Sequence, residues 1–228
     1  MGTTNEPTDG RHARRQRNRE AIVSAAFELI LEGKSPPSAE EVAERAGVSV
    51  SSIFRNFEGL VDIQQQAHEL FRERYSHLLL ATPPPGVDLD ARIDFFVRTR
   101  LDLYGQASPL MTLARRRALE SDRWRADIAA SREALGRQLR SCFAAELDEL
   151  TPADAANLVS VLDSITSPEA FELLTTGHSR SRQQMTRSWA LALRAVLAGW
   201  SESNAPTRSA PPRSAAKRTT QTRPQERP

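Results

Sequence analysis

The stretch Val50 to Asn56, VSSIFRN, gathers the side chains of this chain best suited to touching another macromolecule. Read as a helix, it turns Ile53 and Phe57 inward one turn apart and leaves Val50, Ser51, Ser52, Arg55 and Asn56 facing out. These are small or polar. Small side chains allow close approach, Asn can pair with an adenine edge, and Ser and Arg can bond bases or phosphates. The chemistry is recognition rather than catalysis.

No other set of residues competes with it. Cys142 is the single cysteine, which excludes an internal disulfide and any multi-cysteine metal site. Its apolar helical setting marks it as a small buried residue rather than a nucleophile. The four histidines (His12, His68, His77, His178) show no metal-ligand spacing. No Ser-His-Asp order, glycine-rich phosphate loop or paired-carboxylate pocket stands out, and Asp163 and Glu169 near Ser164 read as ordinary helix and cap residues. No enzyme activity, cofactor or metal is expected.

The elements that must hold the 50–56 stretch are legible around it. Ser38 and Glu41 form a capping box after Pro36-Pro37, so a helix starts there. Val42 and Ala46 face inward, and small Ala43 lets a second helix cross closely. Gly47 follows the helix end, where a left-handed backbone suits glycine. Val48 plugs the gap between the helices, and Ser49 is the natural N-cap of the next one. Upstream, Ile22, Ala25, Ala26, Leu29 and Ile30 line one face of a helix ending near Leu31. It is preceded by an arm, Arg11 to Arg19, holding five arginines and no acid.

Beyond Leu80, Thr82-Pro83-Pro84-Pro85-Gly86 is a hard break, read as a junction between two sub-domains. The segments after it are all helical in pattern: Asp88 to Gln106, Pro109 to Ser121, Arg123 to Leu150, Pro152 to Leu174 and Ser179 to Gly199. Pro168 is expected to break or kink the fourth, with Ser167 as a fresh N-cap. No segment alternates with period two, so the fold class is all-α, with about nine helices.

Composition agrees. Of 31 basic residues only Lys34 and Lys217 are lysine, an arginine bias that points to GC-rich coding and a bacterial source. The net charge is +2, but the stretch from Ser201 onward carries six basic and two acidic residues, which leaves the first 200 residues at −2. Charge placement therefore says more than pI about nucleic-acid binding. No apolar run approaches the roughly 18–20 residues that span a bilayer, and Met1 to Gly10 has no signal-peptide pattern. No membrane partner and a cytoplasmic location are expected.

The stretch AEEVAERAGVSVSSIFRNF closely resembles the N-terminal domain of TetR-family regulators, as does REAIVSAAFELI in the first helix. The resemblance covers about residues 15 to 63; later helices match only in number and length. It implies an N-terminal three-helix helix-turn-helix DNA-binding domain and a C-terminal helical domain for effector binding and dimerisation. It also implies an obligate homodimer on a palindromic operator in double-stranded DNA, usually repression, and release by a small molecule. The expected layout is a disordered basic leader at 1–14, the DNA-binding domain at 15–75, the effector domain at 82–200 and a disordered basic tail at 201–228. The DNA-contact set is Arg15, Ser38, Ser49, Val50, Ser51, Ser52, Phe54, Arg55 and Asn56. Three positions depart from the family pattern: Phe54 stands where Tyr is usual, Asn56 where His is frequent, and Leu60 where Lys is common. Phe54 is expected only to pack. These changes weaken the backbone clamp and leave more to Arg55 and the arginine arm.

The middle helices are expected to hold the effector, with Phe96, Tyr104, Met111 and Trp124 as wall residues and a mainly apolar ligand of modest size. Arg98, Arg100 and the run Arg115 to Arg117 either meet an anionic ligand or face solvent. Helices at 152–174 and 179–199 are the expected dimer face. The alternative reading is a helical small-ligand-binding protein with a weakened or vestigial DNA head.

Overall fold

A computed structural model describes residues 6–34 and 36–204. Among them the chain is all-helical. Helix α1 spans Glu6–Leu31, α2 Ala39–Ala46, α3 Val50–Asn56, α4 Leu60–Arg74 and α5 Ser76–Leu79. After the proline-rich break come α6 Leu89–Ala118, α7 Asp122–Cys142, α8 Ala144–Asp148, α9 Pro152–Ile165 and α10 Pro168–Glu172. A π-helical turn, Leu173–Gly177, leads to α11, Arg182–Asn204. Against the about nine expected, the stretch ahead of the proline-rich break divides into α4 and α5 and two later segments are also divided, while the expected 88–106 and 109–121 helices are joined in α6. The 123–150 segment breaks at Phe143, and Pro168 ends the 152–174 segment as foreseen, with Ser167 Oγ accepting from Ala170 N–H at 3.0 Å.

Local chemistry sets the head. Ser38 Oγ accepts from Glu41 N–H at 3.2 Å while Ser38 N–H donates to the Glu41 carboxylate at 2.9 Å. Gly47 sits at φ 66°, ψ 32°, its N–H bonded to Glu44 O, while Val48 N–H reaches Ala43 O at 3.0 Å. That pairing ends a helix on a left-handed residue, which glycine adopts without steric cost. Ser49 then caps α3. Ile22, Ala26, Val42, Ala43, Ile53 and Phe57 close a compact core beneath.

Two expectations fail. The leader expected as disordered is helical from Glu6 on, so Arg11 to Arg19 belong to the first turns of α1; residues 1–5 lie outside the described ones. The physical reason is that Arg11 to Arg19 holds mainly strong helix formers, five Arg with Ala13 and Gln16, while Pro7 stands in the first turn, where proline is tolerated. Likewise α6 runs unbroken through Pro109 for 30 residues. An interior proline costs about 3 kcal/mol, yet buried Ala107, Leu110 and Leu113 hold the helix on both sides of it. Residues 201–204 continue α11, and the tail beyond them lies outside the described residues.

The proline-rich break is a loop between α5 and α6, but the packing does not divide there. Phe27, Ile30, Ala67 and Phe71, from α1 and α4, share one core with Phe96, Leu103, Leu139 and Trp189 of the body. Thus α4 starts in the head and ends inside the body.

Candidate nucleic-acid interface

Helix α3 presents one face and hides the other. Ser52, Ile53, Asn56 and Phe57 are buried; Ser51, Phe54 and Arg55 are exposed, and Val50 is half-buried. This departs from the sequence expectation three times, the first being Ser52, expected to face out but buried. Phe54 does not pack: 58% of it is open to solvent. Asn56 does not face out. Its Nδ2 donates to Ser52 O at 2.7 Å, and its Oδ1 accepts from Arg15 Nε at 3.3 Å. Residues 52, 53, 56 and 57 lie on one side of a 3.6-residue turn, so the Ile53–Phe57 pair already carried Ser52 and Asn56 inward.

The arginines of α1 complete the arrangement. Arg15 and Arg19 are four residues apart and share a face. Arg19 Nη1 donates to Asn56 O at 2.5 Å and its guanidinium lies 4.4 Å over the Phe57 ring. Both cations thus reach the C-terminus of α3, where carbonyls lack partners and the helix dipole is negative. Arg11, Arg14, Arg15 and Asn18 continue the same face, and with Ser52, Arg55 and Asn56 they line a groove of about 570 Å³. No carboxylate lines it. Arg55 is steadied by donating to Ser52 Oγ at 2.8 Å. Such a groove suits a run of phosphates. The i, i+3, i+4, i+7 spacing of Arg11, Arg14, Arg15 and Asn18 was visible in the sequence; reading the segment as an arm hid it.

The remaining expected contacts have structural duties. Ser38 caps α2, and Ser49 Oγ lies 2.9 Å from both Ser51 Oγ and Ser52 Oγ. Leu60 packs against the head core.

The four expected wall residues do not meet in one cavity. Phe96 is buried edge-on against Phe143 and under Arg100. The Tyr104 hydroxyl accepts from Arg100 at 2.7 Å and donates to Thr166 O at 3.1 Å. Trp124 is buried beside His68, ring centroids 5.3 Å apart. Only Met111 borders a cavity, a small cleft shared with His68. Arg100 neither faces solvent nor lines a pocket: it is fully buried, donating to Gln138 Oε1 (3.0 Å), Tyr104 Oη and Leu135 O (2.7 Å), with Asp163 at 3.6 Å. Arg115 pairs with Glu172 and Arg117 donates to Gln64. Burial pushes the Cys142 thiol up to about 11, so it stays protonated. Among the described residues no cluster of three or more His, Cys, Asp or Glu can hold a metal ion, and no helix is long and apolar enough to cross a membrane.

A three-helix head with a solvent-facing second helix of its helix-turn-helix, set on a larger helical body, defines the class. No model of a known protein family matches the sequence, and comparison with curated proteins finds no match. Solved structures do match. A TetR-family transcriptional regulator from Streptomyces coelicolor superposes with a TM-score of 0.68 at 20% identity, covering 83% of this chain and 84% of that one. A transcriptional regulator from Rhodococcus sp. Rha1 gives 0.59 at 16%, covering 79% and 96%. The multidrug binding protein EbrR, complexed with imidazole, gives 0.54 at 22%, covering 78% and 93%. The chain has the fold of the TetR-family regulators.

Proposed function

We propose that the protein is a sequence-specific, DNA-binding transcription regulator without enzymatic activity. It acts as a homodimer on a palindromic operator and represses until a small molecule releases it. The observation that carries this is the arginine-lined groove beside the exposed face of α3: it supplies phosphate contacts next to a base-reading surface. Ser51, Arg55 and the Phe54 ring are the groups set to enter the major groove, where an apolar ring fits a thymine methyl. Asn56 instead holds Arg15 in place. The groove also offsets the hydroxyl and the ammonium that Phe54 and Leu60 lack, which counts against a merely vestigial head.

Two copies must place their α3 helices about 34 Å apart, one duplex turn. The outer faces of α9 and α11 support this, since Ala156, Ser160 and Val161 of one and Leu191, Ala195 and Ala198 of the other are exposed. Paired across a two-fold axis they make a four-helix bundle. Release by an effector is supported by the fold neighbour that binds drugs.

Selection of bound duplexes from a random pool with the full chain tests the reading. The expected product is an inverted repeat whose half-sites lie about one helical turn apart. Enrichment of no sequence, or of a single half-site bound by a monomer, defeats it.

A further inference from the structure

We propose that the small cleft between α4, α6, α7 and α10 is a ligand site for monocyclic phenols, with His68 as the residue that bonds the phenolic hydroxyl. The inference rests on the reading that the helical body takes a small effector, and adds its site and chemical class.

His68 is 2% exposed and lines the cavity, yet neither of its ring nitrogens has a partner. Buried polar groups are nearly always paired, and one left unpaired marks a site that something else satisfies. The neighbouring polar groups are taken: Gln64 accepts from Arg117, Gln65 donates to Asp127, and Ser131 donates to Asp127 O at 3.0 Å. Trp124, whose indole N–H is also unpartnered, and Phe71 both lie beside the imidazole, with ring centroids 5.3 and 5.6 Å away. Burial lowers the pKa of His68, so the ring is neutral, with one N–H and one lone pair. A hydroxyl, which both donates and accepts, is the complement of that pair. The apolar walls are Phe71, Met111, Ile128 and Leu135, and the charged Arg115, Arg132 and Glu169 also line the space. The apolar walls, with an aromatic ring and a thioether among them, suit an aromatic ring.

The space is about 40 Å³, enough for a water or two and too small for a ring. One side of it is α10, which contributes Pro168 and Glu169. Helix α10 is five residues long and is tied down by Arg132–Glu169 at 2.9 Å and by Arg115–Glu172. Exposed pairs of this kind contribute little, and the π-helical turn follows directly. Met111 adds a flexible wall. Because His68 stands on α4, a ring seated against it pushes on the helix that carries the head.

Calorimetric titration of the full chain with phenol and with benzene, repeated on His68→Leu and Met111→Phe, tests this. Phenol should bind the wild type about tenfold more tightly than benzene, the ratio expected for one buried hydrogen bond. His68→Leu should erase that preference while melting no lower than the wild type, since an unpaired polar group has gone. Met111→Phe, which fills the space, should abolish binding of both. Equal affinities in the wild type, a phenol preference that persists without His68, or binding undisturbed by Met111→Phe overturns the proposal. A chain that selects a palindrome but ignores phenol sinks the pocket alone. A chain that takes phenol at His68 but enriches no DNA sinks the regulator reading alone.

Discussion

The head and the body satisfy their buried polar groups by different means. In the head most partners are close along the chain: Ser38 with Glu41, Ser49 with Ser52, Ser52 with Asn56; the exceptions are Arg15 and Arg19 of α1, which reach across to Asn56. In the body they are far apart. Arg100 bonds Leu135 and Gln138, 35 and 38 residues on, Tyr104 bonds Thr166, 62 residues on, and Gln138 returns to Leu78 O, 60 residues back. The head is thus built largely from separable local devices, with α1 clasping the end of α3. The body hangs on one cation that joins α6, α7 and α9 at once. The difference teaches where single changes hurt: a lost cap weakens one helix, whereas a lost hub leaves several buried groups without partners.

Arg100→Met should break the comparison most severely. It leaves Tyr104 Oη, Gln138 Oε1 and Leu135 O short of a donor in the core, at a cost of about 3–5 kcal/mol. Urea unfolding followed by far-UV circular dichroism measures it. A loss below about 1 kcal/mol would put the hub on a par with a surface pair and remove the distinction. Ser38→Ala should cost about 1 kcal/mol, read in the same assay. It should also weaken DNA binding, because α2 braces α3. A loss as large as that of Arg100→Met would show the head to be as cooperative as the body.

The smallest expected effect sharpens the contrast from the other side. His68 is held below its ordinary pKa of 6.5, chiefly by burial; Asp127 and Glu69 oppose this and Arg72 adds to it. The unfolded chain therefore takes up a proton first. Stability is whole above pH 6.5 and falls as the pH drops from there toward the folded value. Unfolding midpoints at pH 7.5 and 5.5 should differ more in the wild type than in His68→Leu; parallel shifts in the two would mean that His68 is not the group titrating.

What was legible follows the same division. The start of α2, the Gly47 corner, the cap of α3 and the break at Pro168 could each be read from a few neighbouring residues, because each is made within one or two turns. The inward turn of Asn56 was also readable from its spacing to Ile53, but its bond to Arg15 was not, since that needs α1 beside α3. Exposure of Phe54 follows from the same wheel. The unbroken course of α6 through Pro109 ran against local preference, and only packing on both sides reveals it. Arg100 looked like a surface charge, as arginines usually are; nothing near it in sequence announces Gln138 or Asp163.

By itself, then, the sequence determined an all-helical chain with a capped, glycine-turned helix pair near its start, since caps, corners and apolar periods act over three or four residues. The tertiary structure decided which side of α3 is open, that the arginine segment is a helical wall of a groove, and that Arg100 is a core hub. It also decided that His68 stands unpaired beside a cavity. Each of these depends on residues brought together from distant turns of the chain, where no local preference operates and only the closing of the core selects the partner.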